Sequence, residues 1–233
     1  MLVIFDVDGT LTPSRGRIDE QFRLWLLNDM PFEFILITGS DAPKTREQIG
    51  DELYDSTTVY NCTGNHVFKN GVEIYRSAWT VNEGLEHLLL RELGLSTWQH
   101  KTGRHIEQRV GLCNFSIVGR NATKEQRAAY YQHDCTVLER ERIAKLIMSE
   151  FPDIEATVAG ETGIDIYARG TGKSQLVNSV ADQAPLIFFG DRMDPAGNFY
   201  CLAEAIKVLG LGLSYSVRYW QETWDILRQL AEK

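Results

Sequence analysis

The chain has 233 residues, 43% of them hydrophobic and 24% charged, an ordinary globular balance with room for one or two domains and a buried core. Its net charge of -8 argues against a general nucleic-acid binder, which carries a basic surface, but leaves open an anionic substrate held by a local arginine cluster. There is no run of about eighteen apolar residues and no basic and apolar leader with a cleavage site, so the expectation is a soluble, cytoplasmic protein with no membrane partner.

Residues 2–6 are a short apolar run ending in a turn, the pattern of a strand buried in a parallel sheet. Ile18 to Leu27 reads as a helix, and Phe34 to Ile37 as a second buried strand ending in Thr38-Gly39-Ser40-Asp41. Asp41 suits an N-cap, with Lys44 to Leu53 as the helix body. Thr58 to Cys62 is a third strand, and Val67 to Ile74 carries an Asn70-Gly71 hairpin signal. This alternation of strands and helices is an α/β signature.

The pattern changes after a helix at about 81–93. Residues 104–118 read as two strands in alternation: Cys113, Phe115 and Ile117 fall on one face, and Asn114 and Ser116 on the other, with Arg120 at the same parity. That predicts an antiparallel sheet with one solvated face. Residues 138–151 make an amphipathic helix, and Thr157-Val158 with Ile164 to Tyr167 suggests a second hairpin around Gly160. Buried-strand character returns at Leu186 to Phe189, followed by Gly190-Asp191; a run at Leu211 to Leu213 and a helix from about 218 close the chain. The expected architecture is α/β: a Rossmann-like parallel-sheet core from 1–80 and 169–233, interrupted by an inserted α+β domain over 81–168.

In parallel α/β sheets, ligands bind beyond the carboxyl ends of the strands. Three strands end there in reactive residues: Asp6-Val7-Asp8, Thr38-Gly39-Ser40 and Gly190-Asp191. Asp6 and Asp8, two apart on a Gly9-Thr10 turn, supply a nucleophile, an acid/base and a cation seat, which are most of the parts of a phosphoryl-transfer site. The four cysteines are widely spaced, without C-x-x-C, and are expected as reduced thiols rather than disulfides or zinc ligands. The five histidines show no ligand spacing. Trp79, Trp98, Trp220 and Trp224 read as core or interface residues, the last two at an ordinary helical packing spacing.

Asp6-Val7-Asp8-Gly9-Thr10-Leu11-Thr12 resembles the first motif of the haloacid dehalogenase superfamily, with Thr38, Lys173 and Gly190-Asp191 following in the order of its other motifs. The insertion resembles that superfamily's type-IIB cap. Over nearly the whole chain the sequence is similar to the eukaryotic-type phosphomannomutase family: Asp6 to Arg15 matches the opening motif, Arg109 to Arg120 matches an Arg-Asn-Gly…Asn-Val-Ser-Pro-Ile-Gly-Arg segment, Arg127 follows as it does there, and Phe188 to Asp191 with Pro195, Gly197 and Asn198 resembles the metal loop.

The resemblance implies an aspartyl-phosphate at Asp6, with Asp8 as acid/base and Thr38 and Lys173 on the transferring phosphoryl group. Mg²⁺ is implied at the Asp6 carboxylate, the Asp8 carbonyl and Asp191, with Asn198 and Asp194 as further candidates. It also implies that Arg15, Arg109, Arg120 and Arg127 take the distal phosphate of a phosphorylated hexose and that Asp165 contacts its hydroxyls. Arginine suits that role because its planar fork makes bidentate bonds to phosphate. A hexose bisphosphate activator and a homodimer through the cap belong to the same expectation, as does a cap that closes to exclude water and opens for the intermediate to turn around.

The chain departs from the family at Gly163, where a Ser is usual, at Phe199, where an Asp follows the Asn, and at Thr38, where Gly is common. Asp194 is the candidate to replace the missing carboxylate, as a partner of the metal or of Lys173; otherwise it is a solvated loop acid. Two alternatives stand beside the mutase expectation: a Mg²⁺-dependent sugar-phosphate phosphatase on the same scaffold, toward which Thr38 and Gly163 lean, and a non-catalytic sugar-phosphate-binding protein.

Overall fold

The apolar run Leu2–Asp6 forms the first strand (β1), buried along its whole length. It is paired in parallel on both sides, with Glu33–Ile37 and Leu186–Gly190. Such a strand has no solvated face, so Leu2 to Phe5 are all apolar rather than every second one. Its alternate residues feed two cores: Val3 and Phe5 pack in one cluster with Phe22, Leu36 and Leu227, while Leu2 and Ile4 pack with Leu176, Phe199 and Ile206 on the other side. The computed structural model describes residues 1–195 and 197–232.

The chain divides into two compact units, Met1–Arg76 with Lys173–Lys233, and Ser77–Gly172. In chain order, the first unit runs β1, α1 (Glu20–Asn28), β2 (Glu33–Ile37), α2 (Ala42–Ile49), α3 (Asp51–Asp55), β3 (Thr58–Asn61), β4 (His66–Lys69) and β5 (Val72–Arg76). The second contains α4 (Glu83–Leu95), β6 (Ile106–Arg109), β7 (Leu112–Phe115), α5 (Lys124–Val137), α6 (Glu139–Glu150), β8 (Ile154–Ala159) and β9 (Gly163–Ala168). The first unit resumes with α7 (Leu176–Val180), β10 (Leu186–Gly190), α8 (Tyr200–Val208), β11 (Gly212–Ser216) and α9 (Trp220–Ala231).

The first unit holds a seven-stranded sheet in the order β11-β10-β1-β2-β3-β4-β5. β11 to β3 pair in parallel, and β4 and β5 add an antiparallel hairpin. Asn70 and Gly71 turn that hairpin at positive φ, as the Asn-Gly signal requires. From β1 the chain goes one way to β2, and β10 lies on the other side, so the strand order reverses at β1, the position where open α/β sheets bind ligands. Trp220 and Trp224 stack on Phe22, with ring centroids 6.1 and 5.2 Å away, and bury one face of α9.

The second unit is a four-stranded antiparallel sheet, β6-β7-β9-β8, packed with α4, α5 and α6 around Leu89, Phe115, Tyr130 and Ile147. Here the structure corrects three expectations. Asn114 and Ser116 are buried rather than solvated. β7 ends at Phe115, so strand parity does not reach Arg120. Lys124–Val137 is a helix that the apolar pattern did not predict, closed by a capping box between Thr123 and Gln126. Further on, Lys173 opens only a short 3-10 turn, Lys173–Gln175, ahead of the five-residue α7, so no long helix presents its amino terminus there.

Candidate functional site

Asp6 is the last residue of β1, and the backbone then closes tightly on itself. Gly9 N donates to Thr12 O at 2.8 Å, and Leu11 N and Thr12 N both donate to Val7 O at 3.0 Å. Thr10 Oγ1 donates to Asp6 Oδ2 at 3.1 Å. Asp8 is half-buried, and its Oδ1 accepts from Arg15 N at 2.6 Å and from Gln48 Nε2 at 2.8 Å. Gln48 lies on α2, is 1% exposed, and was absent from the candidates read in the sequence.

Gly9 sits at φ +81, and a Cβ built there would lie 2.9 Å from Asp191 Oδ2. The β1 loop and the β10 loop are thus in contact at a residue with no side chain. Gly9→Ala is therefore expected to cost about 1–2 kcal/mol from the left-handed backbone alone. It should also push Asp191 aside and weaken divalent-cation affinity, as urea titration and calorimetry would show.

The charges of this loop cluster act on one another. Burial pushes the Asp6 carboxyl well above the usual carboxylate range; the Lys173 ammonium pulls it down, and Asp191 and Asp8 push it further up. Burial also raises Asp191, against the pull of Lys173 and Arg192. Asp6, Asp8, Lys173 and Asp191 therefore share one electrostatic neighbourhood. Thr38 is buried at the end of β2, its Oγ1 accepting from Ser40 N at 3.0 Å and its carbonyl from Thr63 N at 2.9 Å. Lys173 is buried, with Nζ 3.2 Å from the ring centroid of Phe199.

Among the described residues no group of three or more His, Cys, Asp or Glu side chains gathers as a metal cage. Asp8 spends its Oδ1 on Arg15 N and Gln48, and Asp194 is exposed, its carbonyl accepting from Gly197 N at 2.7 Å. What the loops do offer is two acids whose ionisation is disfavoured by burial, Asp6 and Asp191, and a buried acceptor with no partner, Asn198 Oδ1. Hard oxygen donors with only one or two carboxylates fit Mg²⁺, which completes its shell with water and phosphate oxygen.

Arg15 contributes a backbone amide to Asp8, stands at φ 57 and has an exposed side chain. A non-glycine residue in that region is strained, and such strain concentrates where a loop must hold one shape.

In the second unit, Arg109 and Arg120 converge on one carboxylate. Arg109 Nε lies 3.2 Å from Glu107 Oε1, and Arg120 Nε pairs with Glu107 Oε2. Burial alone would raise the Glu107 carboxyl, but Arg109 and Arg120 outweigh it and hold the group below its usual value. Arg127 pairs instead with Glu161, Nε to Oε2 at 3.7 Å. Asp165 faces Asn114 across the β7–β9 pair and accepts its Nδ2 at 2.6 Å. A Cβ at Gly163 would lie 2.7 Å from that same Nδ2, so Asn114 fills the space that a side chain at 163 would need. His66 binds Glu73 Oε2 at 2.6 Å and His105 binds Ser116 O at 2.8 Å. None of the four cysteines forms a disulfide. Among the described residues no helix is long and apolar enough to cross a membrane.

A family model described as eukaryotic phosphomannomutase matches residues 29–233. Phosphomannomutase from Saccharomyces cerevisiae is 30% identical over 98% of this chain and 93% of its own length. Phosphomannomutase 1 from Homo sapiens is 30% identical over 99% of this chain and 92% of its own. Among solved structures, the C-terminal domain of C. albicans trehalose-6-phosphate phosphatase superposes with a TM-score of 0.70 at 13% identity, covering 99% of this chain and 91% of that one. An N-terminally truncated, IMP-bound Plasmodium falciparum IMP-nucleotidase gives 0.65 at 15% identity, covering 100% and 68%. At such identities the structural likeness speaks for the fold alone: a parallel-sheet core of haloacid dehalogenase type with an inserted α+β unit.

Proposed function

The chain belongs to the eukaryotic phosphomannomutase family, and from that membership we propose that it interconverts mannose 6-phosphate and mannose 1-phosphate through an aspartyl-phosphate and a hexose bisphosphate. The observation that carries the reading is Asp6, buried at the carboxyl end of the central strand with Asp8, Lys173 and Asp191 as its charged neighbours. In this reading an Asp6 oxygen forms a bond to phosphorus as the bond from phosphorus to the sugar oxygen breaks. Asp8 gives its proton to that departing oxygen and takes one back from the hydroxyl that attacks next. Lys173 and the Thr38 hydroxyl hold the phosphoryl oxygens in line.

Mg²⁺ would be held by Asp6, Asp191, the Asp8 carbonyl and Asn198, and when bound it supplies charge neutralisation for the transferring group. Asp194 stands as a further candidate, for the metal or for Lys173. Arg15, Arg109, Arg120 and Arg127 take the other phosphate of the sugar, and Asp165 its hydroxyls. Glu107, lying between Arg109 and Arg120, keeps that pair of forks together. A cytoplasmic homodimer joined through the inserted unit belongs to the same proposal, and the exposed Leu90 and Leu95 of α4 suit such a contact.

The test is incubation with mannose 6-phosphate, Mg²⁺ and a trace of hexose 1,6-bisphosphate, followed by ³¹P NMR. The expected result is conversion to the 1-phosphate with the total of phosphate ester unchanged. Release of inorganic phosphate without any 1-phosphate would make the protein a phosphatase and overturn the reading.

A smaller effect follows from Gln48. Gln48→Leu removes one of the two donors on Asp8 Oδ1 while leaving the aliphatic volume in the core. Hydrogen bonds to charged groups are worth about 1.5–3 kcal/mol, so kcat is expected to fall about tenfold to a hundredfold. KM for the sugar phosphate should stay within about twofold, because Gln48 positions a proton and touches no substrate. Steady-state kinetics decide between this and a general loss of folding.

A further inference from the structure

β3 ends at Asn61, and the three residues that follow all stand in the left-handed region: Cys62 at φ 49, Thr63 at φ 61 and Gly64 at φ 95. Only the third is a glycine. For a β-branched residue such as Thr63 that conformation is a true outlier, and outliers of this kind concentrate where a loop must hold one shape. The turn is buried and closed on itself. Thr63 Oγ1 donates to Cys62 O at 2.6 Å, and Asn65 Nδ2 donates to Cys62 O and to Thr63 Oγ1, each at 3.0 Å.

The partners of the Thr63 backbone show what the shape achieves. In a strand, the N–H and C=O of one residue point to the same neighbour; in a helical turn they point in opposite directions along the axis. Thr63 accordingly serves two different segments. Its N–H donates to Thr38 O at 2.9 Å, and its carbonyl accepts from Gln175 Nε2 at 2.9 Å. Cys62 N strengthens the first tie by donating to Ser40 O at 2.9 Å. Gly64 makes room for the second: a Cβ there would lie 2.9 Å from that same Gln175 Nε2. Gln175 closes the short 3-10 turn that Lys173 opens. One strained peptide thus links the residue at the end of β2 to the turn that carries the lysine.

We propose that Gln175 is a positioning residue for Lys173: its amide ties the lysine's turn to Thr63, which is itself tied to Thr38, so that the two groups on the phosphoryl oxygens keep one spacing. This rests on the reading of Lys173 and Thr38 as phosphoryl contacts, and it adds the residue that sets their relation. Such a tie matters because the lysine ammonium sits on a flexible four-carbon stem, and phosphoryl transfer depends on where its charges are held.

The experiment is a cycle of four full-length proteins: the parent, Gln175→Met, Lys173→Met and the double variant. Methionine keeps the length of glutamine and removes the donor. Orthovanadate, a mimic of the transferring phosphoryl group, is titrated into each by calorimetry in the presence of Mg²⁺, and Mg²⁺ alone is titrated separately. Gln175→Met is expected to weaken vanadate about tenfold and to leave Mg²⁺ affinity within about twofold, because a small misplacement of a holding group is costly and the cation seat is made by other residues. In the Lys173→Met background the same change should weaken vanadate no further, since Gln175 acts through the lysine. Unchanged vanadate binding in Gln175→Met would overturn the proposal. So would losses that simply add in the double variant, or a parallel loss of Mg²⁺ affinity, because each leaves Gln175 with the fold alone. Vanadate binding as tight in Lys173→Met as in the parent would sink the reading of Lys173, and the role of Gln175 with it. Production of mannose 1-phosphate plays no part in these readouts, so a protein that proved to be a phosphatase would lose the mutase reading and keep this assignment.

Discussion

Asp6→Asn is expected to abolish phosphoryl transfer, lowering kcat by on the order of 10⁵-fold or more, while leaving the protein at least as stable at pH 7 as the parent chain. The activity half of this result follows from the amide nitrogen and oxygen of Asn being unable to form the acyl-phosphate bond. The stability half follows from burial. The folded chain holds the Asp6 carboxyl well above the usual carboxylate range, chiefly by desolvation, with Lys173 opposing and Asp191 and Asp8 adding to the rise. An acid raised in this way binds its proton more tightly folded than unfolded. Stability therefore falls as pH climbs from the unfolded carboxyl value to the folded one, and the cost persists at neutral pH. A neutral isostere carries no such cost. Thermal melts in the presence of a chelator should show the variant melting no lower than the parent at pH 7. Added Mg²⁺ should raise the parent's melting temperature and leave the variant's nearly unmoved, because binding stabilises only the chain that retains the seat. Measurable exchange of phosphate by the variant would assign the acceptor role to another residue.

The legibility of this protein in its sequence follows the range of each interaction. β1 could be read because a strand paired on both sides is apolar along its run, here Leu2 to Phe5, and Asp6, Asp8 and Asp191 could be read because they stand at or just beyond the ends of such runs. α5 could not, because its buried residues include Arg127 and Asp134 alongside Tyr130, so a helix that is buried through polar groups leaves no apolar stripe. Asn114 and Ser116 were placed on a solvated face for the same reason. In the structure Asn114 is satisfied by Asp165, which is 51 residues away along the chain, and Ser116 N by His105 O. Pairing across such a separation removes the need for water and is invisible to a periodicity argument. Gln48 escaped notice likewise: it meets Asp8 across 40 residues, and a glutamine on a short helix looks like any surface residue until the fold brings it to the loop. Phe199 was seen only as a missing carboxylate. Its ring lies against the ammonium of Lys173, which comes from a different segment of the chain.

Asp8→Asn is expected to separate the two halves of the reaction according to leaving group. An alkoxide leaving from a sugar phosphate needs a proton in the transition state, and general acid catalysis by a positioned carboxyl contributes about a hundredfold to ten-thousandfold. Turnover of mannose 6-phosphate should fall by that factor. Nitrophenolate leaves without a proton, so formation of the aspartyl-phosphate from p-nitrophenyl phosphate should be slowed far less. The second half, attack on the phosphorylated Asp6 by a hydroxyl, needs Asp8 as base whichever the substrate was. The variant should therefore show a rapid burst of about one nitrophenolate per active site followed by a slow steady state, with the phosphoryl group retained on the protein in acid-quenched samples. The hydrogen bonds from Arg15 N and Gln48 both go to Asp8 Oδ1, and the amide oxygen of Asn, with two lone pairs, can accept both, so the loop keeps its ties in the variant. Equal losses on both substrates, with no burst, would mean that the variant has lost the shape of the loop rather than a proton, and Asp8 would then be a structural residue of the turn.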